Sequence, residues 1–216
     1  MLLCPELRKV FILVPRTGTG TFYREIMRVY PKSMLLYRHM EADGCPRGYD
    51  RWERIGFVRH PLYRLWSLYN FIKNSTGIIG KSSNPQNSSP EAKQADTDLK
   101  RSQVNIPFED WLLNNEMPFM TANDMTGHGE FWPVLTRSHP GPENKISQFQ
   151  YLRPDLGTTI WKFENLKEHM SDLGLDVTAH KNKSTKESER PPYSDAIDLH
   201  LYTFQVWDMF QQCAGV

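Results

Sequence analysis

An α/β domain, with a mainly parallel sheet flanked by helices, is what this sequence predicts, on three observations. Short apolar runs bounded by Pro, Gly or charged residues recur along the chain, and most are followed by a stretch with helical apolar spacing. Strands that alternate with helices in this way pair in parallel, with the helices as crossovers. The chain has 216 residues, of which 39% are hydrophobic, enough for one good core, so a single domain over 1–216 is expected.

The elements follow in order. Val10-Phe11-Ile12-Leu13-Val14 is an unbroken apolar run, too short for a helix and ended by Pro15, and it reads as a buried strand. Phe22, Ile26, Met27 and Tyr30 then stand at i, i+4, i+5 and i+8, the spacing of a helix that Pro31 closes. Between the two lies Pro15-Arg16-Thr17-Gly18-Thr19-Gly20-Thr21, rich in glycine and threonine. Such a loop suits an anion. Bare N–H groups approach oxygens closely, hydroxyls add donors, and the helix N-terminus adds its dipole. Neither G-x-x-x-x-G-K-[ST] nor the full G-x-G-x-x-G is present, which removes the main warrant for ATPase and dinucleotide readings.

A second strand is expected over 33–38, with His39 at its end, where side chains of an open sheet face the ligand crevice. Residues 42–50, with Gly44, Pro46 and Gly48, read as a loop. A third strand is expected over 54–59. Pro61 then takes a favoured first-turn position, and Leu62, Leu65, Trp66, Tyr69 and Ile72 make an amphipathic stripe.

Beyond Lys73 the composition turns to Ser, Asn, Gly, Pro, Gln and Lys, and a flexible surface insertion is expected over 74–102. A helix opens at 106–113, with Pro107 and two acids in its first turn. The irregular stretch 116–144 is long enough to line a substrate site. Residues 158–163 form a further strand, and 164–173 a helix stopped by Gly174. Ser194 or Asp195 caps a last helix, to about Gln212, with Ile197, Leu201, Phe204 and Met209 at apolar positions.

Composition narrows the function classes. A formal net charge of +1 without a basic stripe argues against nucleic acid as the partner. Cys4, Cys45 and Cys213 are widely separated and lack metal-site spacing, so reduced thiols and a cytoplasmic setting are expected. No run is long and apolar enough for a signal peptide or a membrane span, and no His cluster calls for a metal.

The segment Val58-Arg59-His60-Pro61-Leu62-Tyr63-Arg64-Leu65-Trp66-Ser67-Leu68-Tyr69 decides the functional reading. An arginine at a strand's C-terminal end offers a planar fork to phosphate oxygens, and Ser67 adds a hydroxyl donor. With Pro15-Arg16-Thr17-Gly18-Thr19, this segment resembles the sulfotransferases that use 3′-phosphoadenosine-5′-phosphosulfate (PAPS), especially the carbohydrate-modifying type. Gln148-Phe149-Gln150-Tyr151-Leu152, Trp161-Lys162-Phe163-Glu164-Asn165-Leu166 and His180-Lys181-Asn182-Lys183-Ser184 look like later landmarks of that family, so the resemblance runs along most of the chain.

The resemblance implies a P-loop NTPase-like sulfotransferase fold and PAPS as donor, with no metal. It implies that the 5′-phosphosulfate is held by N–H groups and hydroxyls of Thr17, Gly18, Thr19, Gly20 and Thr21, and the 3′-phosphate by Arg59 and Ser67. Arg16 stands where the family has a lysine that meets the bridging oxygen. Arginine stabilises charge there but does not give up a proton. His39 is the expected general base, since related enzymes carry His or Glu in this region, with Glu41, His60 and His139 in reserve. The acceptor is a hydroxyl of a carbohydrate or other small molecule. Two alternatives stand beside this reading: a P-loop-type nucleotide phosphotransferase, and a degenerate relative that binds nucleotide or glycan without turnover.

Overall fold

The computed structural model describes residues 1–36, 40–74, 90–91, 94, 98, 102, 104–113, 148–178 and 191–197. The chain divides into two compact units. One comprises Met1–Arg59, Gln148–Thr185 and Met209–Val216, the other His60–Ser147 and Lys186–Asp208. The described strands are β1 (Leu2–Cys4), β2 (Lys9–Ile12), β3 (Met34–Leu35), β4 (Glu53–Val58) and β5 (Thr159–Lys162). The described helices are α1 (Thr19–Val29), α2 (Pro61–Asn74), α3 (Phe108–Leu113), α4 (Gln148–Leu152) and α5 (Leu166–Asp172).

The first unit is built on a five-stranded sheet in the order β3-β1-β2-β4-β5. β2, β4 and β5 pair in parallel, whereas β1 is antiparallel to both β2 and β3. The sheet is therefore mixed, with four strands sharing one direction. Like α4, β1 is absent from the elements expected of the sequence. It forms a tight hairpin with β2, registering Leu2 with Phe11 and Cys4 with Lys9. At the turn, Arg8 N–H donates to the Pro5 carbonyl at 3.1 Å, and Arg8 takes the left-handed φ of 51°. A run as short as Leu2-Leu3-Cys4 falls below the length at which periodicity speaks. The strand expected over 33–38 is described as the two residues of β3, and 37–39 lie outside the described residues.

Side-chain alternation on β2 and β4 divides the core. Phe11, Ile55 and Phe57 face Phe22 and Ile26 of α1 and Met170 of α5, and all are buried. Phe22 stands edge-on to both Phe11, at 4.9 Å between ring centroids, and Phe57, at 4.8 Å. Each such pair adds about 0.5–1.5 kcal/mol beyond the area it buries. Ile12 and Gly56 register opposite each other and face the other way, toward Leu152 of α4. Met27, expected on the buried stripe of α1, is 41% exposed, because it lies about 100° around the helix from Ile26. α5 ends as its glycine predicts: Gly174 takes φ 65°, Leu175 N–H reaches the Met170 carbonyl at 2.9 Å, and Gly174 N–H reaches that of Ser171 at 2.8 Å.

In the second unit, α2 buries Leu62, Leu65, Leu68 and Tyr69 against Phe108, Trp111 and Leu112 of α3 and against Ile197. Trp66 stacks on Tyr69 (5.7 Å), and the Tyr69 hydroxyl donates to the Ile106 carbonyl at 2.7 Å. Ser194 is the cap of the last helix: its Oγ accepts from Ile197 N–H at 3.3 Å and donates to Glu109 at 2.6 Å. The rest of the helix expected to about 212, the stretch 116–144 and most of the insertion expected over 74–102 lie outside the described residues.

Candidate functional site

β2 and β4 are adjacent and parallel, so their C-terminal ends emerge at the same edge of the sheet. The loop 13–18 leaves there and closes on the Val14 carbonyl. That one oxygen accepts from Thr17 Oγ1 at 2.9 Å and from Thr19 Oγ1 at 3.3 Å, and both threonines are buried. Two of the hydroxyls expected to donate to an anion are thus turned inward, since a hydroxyl has a single proton to give. The backbone is what remains available. The N–H groups of Thr17, Gly18, Thr19 and Gly20 meet no acceptor among the described residues, whereas those of Thr21 and Phe22 reach the Gly18 carbonyl at 3.1 and 3.3 Å. They stand at the N-terminus of an 11-residue helix, whose dipole favours negative charge.

Two left-handed residues shape this turn, Arg16 at φ 66° and Gly18 at φ 74°. Gly18 is required twice over. Its φ suits glycine, and a Cβ there would lie 2.6 Å from the Phe163 ring and 2.9 Å from Leu166. Arg16 adopts the same conformation with a full side chain.

Arg59 follows β4 directly, one residue past the end of the ladder. Its Nη1 donates to the Arg16 carbonyl at 3.4 Å, a long contact, and its guanidinium lies 4.6 Å from the Phe163 ring centroid. Its backbone is held from the side by Gln148. Arg59 N–H donates to Gln148 Oε1 at 2.9 Å, and Gln148 Nε2 donates to the Arg59 carbonyl at 2.8 Å. Arg16, Gly18 and Arg59 are therefore brought together in the first unit, with the Phe163 ring against both Gly18 and Arg59. Phe163 and Gln148 enter the site without having been assigned to it. Both stand in segments resembling family landmarks, but no local pattern marks either for a contact with Arg59.

The remaining expected residues fare differently. Ser67 belongs to the second unit, half-buried midway along α2. His39 and His139 lie outside the described residues. His60 packs its ring edge-on against Tyr63 at 5.3 Å, while its carbonyl accepts from Arg64 N–H at 2.9 Å to start α2. Glu41 is fully buried, and burial pushes its carboxyl up to about 10, with the nearby Asp43 charge adding to the effect. At neutral pH it is a neutral acid, unsuited to accept a proton from an acceptor hydroxyl.

Among the described residues, no group of three or more His, Cys, Asp or Glu could hold a metal ion, and no helix is long and apolar enough to cross a membrane. No family model, curated protein or solved structure matches this chain.

Proposed function

We propose that this chain is a PAPS-dependent sulfotransferase of P-loop-like fold, moving a sulfuryl group to a hydroxyl of a carbohydrate or other small acceptor in the cytoplasm. The observation that carries the reading is the meeting of an amide-lined turn and an arginine at one edge of two parallel strands. Ligands of open α/β sheets bind at such an edge. A donor with a phosphosulfate at one end and a lone phosphate at the other needs an amide cradle for the first and a fixed cation for the second.

In this reading the N–H groups of residues 17–20 hold the 5′-phosphosulfate, and Arg59 holds the 3′-phosphate. Arg16 stabilises charge as it builds on the departing phosphate and keeps its own proton. The bond from sulfur to the bridging oxygen breaks while one to the acceptor oxygen forms. The acceptor proton goes to a base, for which His39 is the assignment, a contribution of about 10²–10⁴-fold. In-line positioning and cationic stabilisation do the rest, as in phosphoryl transfer.

Thermal-shift titration with adenosine 3′,5′-bisphosphate against ATP tests the reading. Stabilisation by the bisphosphate at lower concentration than ATP is expected; protection by ATP alone sinks it. The arginine at position 16 favours a second reading, binding without turnover. Transfer of labelled sulfate from PAPS to a panel of hydroxyl acceptors separates the two.

A further inference from the structure

The peptide of Arg59 lies just beyond the reach of the sheet. β4 ends at Val58, whose register partner on β5 is Lys162, while the β2 ladder stops at Gly56. A guanidinium at the end of such a strand swings with its own backbone, and N–H and C=O groups taken out of a ladder need new partners. Gln148 supplies both from a single planar amide, giving one donor and one acceptor to one residue, as a neighbouring strand would. The amide is itself fixed, since Gln148 is 97% buried (relative exposure 3%).

The helix that presents it is fixed to the same strand. Leu152 stands one turn from Gln148 on the same face of α4 and occupies the space beside Gly56, where a Cβ would lie 1.9 Å from its Cδ2. One face of α4 thus bears on β4 at two points, Leu152 at Gly56 and Gln148 at Arg59. The side chain of Arg59 is steadied separately, by the Phe163 ring and the Arg16 carbonyl.

We propose that Gln148 is the positioning residue of this site: its amide, closed on the backbone of Arg59, fixes where that guanidinium stands and so sets the preference for a nucleotide bearing a second, 3′-phosphate. The inference rests on the reading of Arg59 as the 3′-phosphate ligand. Both hydrogen bonds of the Gln148 amide go to the Arg59 backbone. Its effect on the 3′-phosphate passes through Arg59, whose own link to the cradle is the long 3.4 Å contact of Nη1 with the Arg16 carbonyl, beyond the amides of residues 17–20.

Equilibrium binding of adenosine 3′,5′-bisphosphate and of adenosine 5′-monophosphate to the full chain tests this, in the parent, Gln148→Met, Gln148→Asn, Arg59→Ala and the Gln148→Met/Arg59→Ala double variant. The parent should prefer the bisphosphate. Gln148→Met, unbranched and similar in length but without the amide, should lose about tenfold in affinity for the bisphosphate and little for the monophosphate, the size of one hydrogen bond to a charged group. The double variant should bind no worse than Arg59→Ala alone, since both changes act on one contact. Gln148→Asn keeps a neutral amide but stops one methylene short of the Arg59 backbone, so it should fall between parent and Gln148→Met.

A preference kept in full by Gln148→Met overturns the proposal and leaves the sulfotransferase reading standing. Equal weakening toward both nucleotides, or additive losses in the double variant, also overturns it, as the marks of a merely structural role. A parent without preference for the bisphosphate removes the functional reading and the proposal together. If Gln148→Met does not fold, Gln148→Asn decides alone: partial loss confined to the bisphosphate supports the proposal, and parent-like preference overturns it.

Discussion

At φ 66° the backbone of Arg16 lies in the left-handed region, where a side chain costs about 1 kcal/mol that glycine avoids. Backbone and side chain therefore pull apart at this position. Arg16→Gly should fold with unchanged or slightly greater stability, by up to about 1 kcal/mol in urea melts. Its sulfate transfer should fall by about 10²–10³-fold, as when a preorganised stabiliser of developing charge is removed. A variant equally active and equally stable would show that Arg16 takes no part in the chemistry. Glu41 makes a second residue-level prediction. Burial raises its carboxyl from 4.5 to about 10 in the folded chain. Between those values the unfolded chain releases a proton that the folded chain keeps, so stability from this group, full below the lower value, is lost as pH rises toward the upper. Glu41→Gln should melt like the parent at acid pH and increasingly above it from neutral to alkaline pH. The comparison is parent against variant, so that the other titrating groups cancel. Parallel melting curves for the two proteins across pH would contradict the burial of this carboxyl.

Among the elements, α4 and β4 depend on each other through a residue with no side chain. A methyl group on Gly56 would meet Leu152 Cδ2 at 1.9 Å, so the fully buried Leu152 side chain, or the helix that carries it, must shift. Gly56→Ala should therefore cost about 1–3 kcal/mol in denaturant melts, as overpacked cores do. A Leu152→Ala partner change should recover part of that loss, and purely additive losses would argue against the contact. The elements also divide by how their cause is distributed. α1, α2 and α5 carry their own reasons: a 3.6-residue apolar stripe, Pro61 at a first turn, Gly174 at a C-terminal turn. β4 and β5 carry theirs in apolar runs, and Ser194 in its cap. α4, five residues long, carries almost none of its own, because what holds it is the face it shares with β4.

For the molecule as a whole, β1 matters more than its length suggests. It lies between β3 and β2, so every contact of β3 with the sheet passes through it. Leu2 is completely buried in the core of the first unit, with Phe11 and Phe22 in the same cluster. Leu2→Ala should cost about 2–5 kcal/mol in a thermal or urea melt, the range of large-to-small changes in packed cores. A loss below about 1 kcal/mol, the range of surface changes, would place β1 outside the core. The sequence by itself determined the strand–turn–helix from β2 to α1, the β4–α2 junction with Arg59 at its strand end, and an α/β class. Each follows from local apolar spacing and from Gly or Pro at turns, causes that act between residues a few positions apart. Only the tertiary structure decided that β1 enters the sheet antiparallel, that the Thr17 and Thr19 hydroxyls turn inward, that Glu41 is a neutral acid, and that Gln148 grips Arg59 across 89 residues. The burial of Glu41 and the Gln148 clamp depend on which distant segments pack together, while the β1–β2 hairpin and the threonine contacts with Val14, though short in sequence, are chosen by the sheet and core that surround them.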